Sequence, residues 1–341
     1  MTLPEFRRPD AFLDDFRDES GVSPANLGCL LHCVRDVLRG HGVTNTIRYV
    51  VRPLQVVLSV DPRFRPWLCS AAEEELSEPA FEHGLRATYR WVDDVAALGD
   101  VVDATLAAGK PAIVFANRWL VPWQPQSPLA QSEGHASVVL GRDAGTLHLV
   151  DRQPIGDTTE SRDVDVELAE LAPSVRWGMG VLDYELGPSP STPAEQVRSV
   201  LARSADNLAV GRPQPQLRSR GLDALATLRL LFSEETFPRL DSRHLRLSMR
   251  WHLAACIHKY VIGSRRLLSA YLELDAPELV RGTRLAEVLG ESSARWEELA
   301  RAFAHASRRG LVSPVANLPE ALSATEAVDT ELVEALRAAT G

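Results

Sequence analysis

The apolar positions along this chain change period from one half to the other. Leu30, Leu31, Val34, Val37 and Leu38 recur at helical spacing, which predicts a helix over about residues 28–40, stopped by Gly40 and Gly42. Tyr49-Val50-Val51 and Val56–Val60 are β-branched runs flanked by prolines, predicting short strands or irregular connectors, with 61–70 as loop and 71–76 as a short helix. Leu85–Trp91 alternates like a strand, and 93–108 reads as a helix closed by Gly109. Pro111–Ala116 predicts a buried strand. His135–Gly141 and Thr146–Val150 then predict a hairpin around Asp143-Ala144-Gly145, ended by Asp151–Pro154. Asp165–Leu171 suggests a short helix and Trp177–Leu186 another strand.

The pattern changes at Gly187-Pro-Ser-Pro-Ser-Thr-Pro193, the clearest linker composition in the chain. Beyond it the periods are helical: 195–207, 221–232, 242–274, 280–289, 292–307 and 326–339. The expected architecture is α+β over residues 1–187, a linker over 188–194, and an all-helical domain over 195–341, its amphipathic faces packed together.

Composition narrows the function classes. At 341 residues the chain is long enough for two domains, and 45% hydrophobic with 24% charged residues is a globular balance. The net charge of −9 argues against general binding to nucleic acid or an anionic membrane and is compatible with a cationic small substrate. Lys110 and Lys259 are the only lysines among 37 basic residues, an arginine bias read as codon usage. Cys29, Cys33, Cys69 and Cys256 are too irregularly spaced for a disulfide framework. The first residues lack an apolar signal segment, and no run approaches the length of a membrane span. The expectation is a cytoplasmic protein with reduced thiols.

Cys29 falls in the first turn of its predicted helix, where backbone N–H groups and the positive end of the helix dipole favour a thiolate. Burial as a core cysteine is the plainer reading of that residue alone. A Cys/His/Asp arrangement also needs a base and a carboxylate to orient it. His135 opens one strand of the hairpin and Asp151 follows the other, so antiparallel pairing brings them to one end. Cys33 lies one turn beyond Cys29 and reads as packing. Cys29, His32 and Cys33 lack a second ligand cluster for zinc, so no metal or other cofactor is expected. His148 is out of phase with Leu147 and Leu149 and belongs on the opposite face. Glu73–Glu75, Arg265-Arg266 and Arg308-Arg309 read as solvated faces. Gly141–Gly145 is a turn rather than a phosphate cradle.

Cys29-Leu-Leu-His-Cys33, Gly134-His-Ala-Ser-Val-Val-Leu-Gly141 and Asp151 together resemble papain-like folds of the bacteriocin-processing peptidase type. A closer resemblance is to the BtrH-type acyltransferases of butirosin biosynthesis, in which a helical domain follows such a peptidase-like domain. Gly109–Val114, Leu120–Trp123 and Ser292–Ala300 support it. The resemblance implies acyl transfer from a carrier-protein thioester to an amine acceptor through an acyl-cysteine, with Cys29 as nucleophile, His135 as base and acid, and Asp151 holding the imidazole.

Two positions depart from the peptidase pattern: Ser23 stands where those enzymes place an oxyanion glutamine, and Arg152 replaces the proline after the Asp. Asn26 is then an alternative oxyanion donor and Trp123 a candidate substrate contact. Losing one oxyanion donor costs about two to three orders of magnitude in rate, which an activated thioester tolerates better than an amide. The alternatives are a cysteine peptidase, amidase or thioesterase on the same triad, or a non-catalytic binding module. An arginine face at Arg243, Arg246 and Arg250 is a candidate docking surface for an acidic carrier protein. The oligomeric state is not legible.

Overall fold

The computed structural model describes residues 5–7, 28–60, 66–69, 83–124, 134–155, 158–189, 191–209, 218–232, 253–309 and 318–341. Asn26, Ser23, Glu73–Glu75 and the arginines at 243, 246 and 250 lie outside the described residues. In chain order the elements are α1 (Cys29–Gly40), α2 (Ile47–Val50), β1 (Val57–Val60), β2 (Pro66–Cys69), β3 (Leu85–Val92), α3 (Val95–Ala107), β4 (Ala112–Asn117), β5 (Gly134–Asp143), β6 (Thr146–Ile155), β7 (Thr158–Glu167), α4 (Ala172–Arg176) and β8 (Met179–Leu186). There follow α5 (Pro193–Ala209), β9 (Arg218–Arg220), α6 (Gly221–Leu231), α7 (Gly263–Asp275), α8 (Arg284–Arg309) and α9 (Leu318–Ala338). Among the described residues no helix is long and apolar enough to cross a membrane.

The chain forms two compact units: Met1–Val50 with Glu75–Pro190, and Val51–Glu74 with Ser191–Gly341. The first unit is mixed α and β. Its six strands form one antiparallel sheet in the order β3-β8-β4-β5-β6-β7. The helix α3, capped by the Asp94 side chain on Ala97 N–H, packs Leu98 and Val102 onto Val114, Val139, Leu149 and Val181. Each such fully buried side chain contributes about 1.5–3 kcal/mol. The helix α1 packs against β5 and β4. Its C-terminal end is fastened by Phe6, whose ring lies where a side chain on Gly40 would be, and by Arg7 N–H donating to Gly40 O at 2.7 Å.

Several expectations are corrected here. Tyr49 and Val50 belong to the helical turn α2, not to a strand. Residues 165–167 end the strand β7, and only Leu168–Leu171 coils, as a 3-10 turn. The reason is period: Val164, Val166 and Leu168 alternate inward between exposed Asp163, Asp165 and Glu167. These charges line an edge strand, where they discourage pairing with other chains. The strand β6 runs on to Ile155, so Asp151 sits inside it and does not end it.

The second unit is mostly helical but not all-helical. It includes the antiparallel sheet β2-β1-β9, with Val57 paired to both Cys69 and Arg220. The expected boundary at 187 therefore misses Val51–Glu74, which group with the second unit. Leu54 N–H donates to Ser204 Oγ at 2.8 Å and Gly221 N–H to Val56 O at 2.9 Å. Gly221 has φ +55°, and a Cβ there would lie 2.1 Å from Leu208 O, so only glycine fits. Residues expected as two helices around Gly290 form the single α8, and a π-helical stretch, Ile257–Ile262, precedes α7.

Candidate active site

Cys29 opens α1, with Gly28 in extended conformation before it and no side-chain cap on the helix. First-turn N–H groups of a helix have no intrahelical acceptor, so this end favours negative charge. The thiol is half-buried and reaches Gly134 O at 3.9 Å. It also hydrogen-bonds the imidazole of His135, the next residue of β5.

Strand pairing sets where His135 faces. His135 is opposite Ala116, Ser137 opposite Val114, and Val139 opposite Ala112. Cross-strand partners share a face, so His135 and Ser137 stand on the α3 side of the sheet. Whether Asp151 joins them depends on a β-bulge. Outward from the turn, Asp143 pairs with Thr146, Arg142 with Leu147 and Gly141 with His148. Beyond it Val139 pairs with Leu149 and Val138 with Val150, leaving Leu140 as the extra residue. If the turn's register ran on through Leu140 without a bulge, Asp151 would face Val138 and emerge on the far side from His135.

With the bulge, Asp151 is fully buried and its carboxylate is heavily coordinated. His135 Nε2 lies 2.5 Å from Oδ1, Ser137 Oγ donates to Oδ1 at 2.8 Å, and Gln124 Nε2 donates to Oδ2 at 2.6 Å. Arg162, opposite Asp151 on β7, places Nε 3.9 Å from Oδ2 and also donates to Trp123 O. A proton on His135 Nε2 serves Asp151, which leaves Nδ1 for Cys29. Gln124 Oε1 accepts from Arg118 Nε at 3.3 Å, fixing the amide so that its NH₂ faces the carboxylate. Gln124 Nε2 also lies 2.9 Å from His135 Nε2, as a packing contact, because that nitrogen's proton is committed to Asp151.

These contacts set the charges. Burial disfavours the His135 cation, but the hydrogen bonds to Asp151 and Cys29 and their charges outweigh it and raise His135 to about 9. Burial would likewise raise Asp151; the hydrogen bond and charge of His135, with Ser137 and Arg162, pull it below the usual carboxylate range. His135 is therefore set to hold its proton between the Asp151 carboxylate and the Cys29 sulfur, an arrangement that can pair a nucleophile with an acid.

The structure thus brings together Cys29, His135 and Asp151. It does not present Trp123 outward. That indole is 9% exposed and packs in the α3 core with Ala116, Val121 and Met179, so the expected substrate contact is corrected to a packing role. Cys33 and His32 are buried in α1. His148 is on the exposed face, held by Asp165 at 2.7 Å and Asp143 at 3.1 Å. No group of three or more His, Cys, Asp or Glu side chains among the described residues is arranged to hold a metal ion. Gln124 and Arg162 were not singled out from the sequence. Ser137 could have been, two residues from His135 on a strand and so on the same face. No family model matches the chain, and comparison with curated proteins finds no match.

Proposed function

We propose that this protein is a cysteine-dependent acyltransferase of the BtrH type, whose first unit is papain-like. The observation that carries the reading is the hydrogen-bonded series Cys29–His135–Asp151, with the thiol at a helix N-terminus and the carboxylate buried. Cys29 Sγ attacks the carbonyl carbon of an acyl thioester. The C–S bond to the donor breaks, the departing thiolate takes the proton from His135, and an acyl-cysteine remains. An acceptor amine then attacks that carbonyl while His135 takes its proton, and collapse returns the Cys29 thiolate and releases the amide. The Cys29 N–H, at the start of α1, is placed to donate to the developing oxyanion. A carrier-protein thioester is the donor class and a small amine the acceptor class in this reading.

The test is intact-protein mass after exposure to pantetheine thioesters, with Cys29→Ala in parallel. The expected result is one acyl group on the wild type, none on the variant, and discharge by added amines to amide products. Discharge to free acid at the same rate with and without amine would make the protein a thioesterase on the same triad. No adduct with any thioester would remove the acyltransferase reading.

A further inference from the structure

One cross-strand row of the sheet carries aromatic and very small residues in alternation. Trp91 on β3 is opposite Gly180 on β8, Gly180 is also opposite Phe115 on β4, and Phe115 is opposite Ala136 on β5. The small positions let the rings lie down across the sheet. A Cβ on Gly180 would be 3.3 Å from the Trp91 ring and 2.9 Å from Tyr89. A Cβ on Gly134 would be 2.0 Å from the tip of Phe115. The three rings form one cluster, with centroids 5.3 Å apart for Tyr89–Trp91, 5.6 Å for Tyr89–Phe115 and 6.5 Å for Trp91–Phe115.

This strip has two ends of different character. Inward it stops at Gly134, the residue whose carbonyl meets the Cys29 thiol. Outward it stops at Trp91, 48% exposed although Tyr89 and Phe115 behind it are buried. Trp91 is three strands from β5 in this row, and the buried Phe115 ring links it to Gly134, so the apolar run leads from the surface to the residue that meets the thiol. No charged side chain belongs to the row.

We infer that the Trp91–Gly180–Phe115 strip is the acyl-binding surface of the site and selects an apolar acyl group, either aryl or medium-chain alkyl, over short or charged ones. The inference rests on the acyl-transfer reading, so its test uses two reagent series that separate the two. The first is acetyl-, succinyl-, hexanoyl- and benzoyl-pantetheine, with Cys29 acylation followed by intact mass. The second is chloroacetamide against its N-hexyl and N-benzyl derivatives. There the thiolate forms an S–C bond, chloride leaves, and no acyl transfer is needed.

In both series the apolar members are expected to react at least about tenfold faster than the small one. Trp91→Ala and Phe115→Leu should each reduce that preference to within about twofold. Trp91→Ala alters an exposed ring, so it keeps the test open if Phe115→Leu fails to fold. Equal rates across the chloroacetamides, or a preference untouched by Trp91→Ala, overturn the inference whatever the thioesters do. Failure of every thioester combined with an apolar preference among the chloroacetamides overturns acyl transfer and leaves the apolar surface standing.

Discussion

Asp151 in the first unit and Asp329 in the second are both buried carboxylates held by several donors, and they differ in what stands opposite. Asp329 in the second unit receives Arg265 at 2.8 Å, Ser292 at 2.5 Å and Trp296 Nε1 at 2.9 Å. Arg265 also donates to Ser292 Oγ and Val261 O and lies against the Trp296 ring. All four side chains are buried. Asp151 in the first unit receives Ser137, Gln124 and His135, and the imidazole passes its influence on to a half-buried thiol. A guanidinium has donors and no acceptor, so Arg265 only donates in the Asp329 network. An imidazole nitrogen can release a proton and accept one, so the Asp151 network can hand a proton on. The same way of burying a carboxylate yields a structural clasp in one place and a proton-handling site in the other.

Removing each carboxylate should separate the two roles most widely. Asp329→Ala strands a buried guanidinium and is expected to cost about 3–5 kcal/mol, read as a lowered urea midpoint. The pair Arg265→Met with Asp329→Leu should recover most of that loss. Asp151→Ala should lose less stability, because His135 can discharge. It should instead slow Cys29 acylation by roughly 10²–10⁴-fold, through loss of the group that orients and charges the imidazole. Equal stability losses from the two variants, with unchanged acylation in Asp151→Ala, would erase the distinction.

A sharper test leaves every network residue in place. Deletion of Leu140 removes the bulge and continues the turn's register with Val139 still opposite Leu149, so Ser137, His135 and Asp151 keep one face. Acylation should fall far less than in Asp151→Ala, with far-UV circular dichroism retained. A loss as deep as that of Asp151→Ala would show that the bulge itself, and not the shared face, places the carboxylate.

The smallest predicted effect is in pH dependence. His135 is raised to about 9, so acylation should fall by about tenfold per pH unit above that value as the imidazolium acid is lost. Asp151→Asn should move this limb to lower pH. The sign for stability agrees. The contribution from His135 is fully present below the ordinary histidine value and lost as pH rises through about 9. That of Asp151 is present above the ordinary aspartate value and lost as pH falls through its depressed one. An alkaline limb that ignores Asp151→Asn would detach the carboxylate from the base.

Local period and punctuation made α1, α3, β4 and the β5–β6 hairpin legible, and with them the approach of His135 to Asp151. Cys29 was legible because a helix start has its own electrostatics. Gln124 was not, since a loop glutamine carries no periodic signal and its role arises only where the chain returns past the end of β4. The strand β7 was hidden by its charges, which mark a sheet edge but look like a solvated segment. Val51–Glu74 read as part of the first domain because sequence adjacency says nothing about a strand that pairs with Arg218–Arg220.

The bulge at Leu140 also bears on how this site can vary between sequences. His135 and Asp151 are sixteen residues apart. Around an unbulged two-residue turn, same-face positions on the two strands differ by an odd number, so an even interval announces an irregularity between them. The site therefore depends on the count of residues in the hairpin rather than on the identity of Leu140. Substitutions there are tolerable in proportion to their fit, and loss of that one residue leaves an odd interval, which an unbulged hairpin already holds on one face.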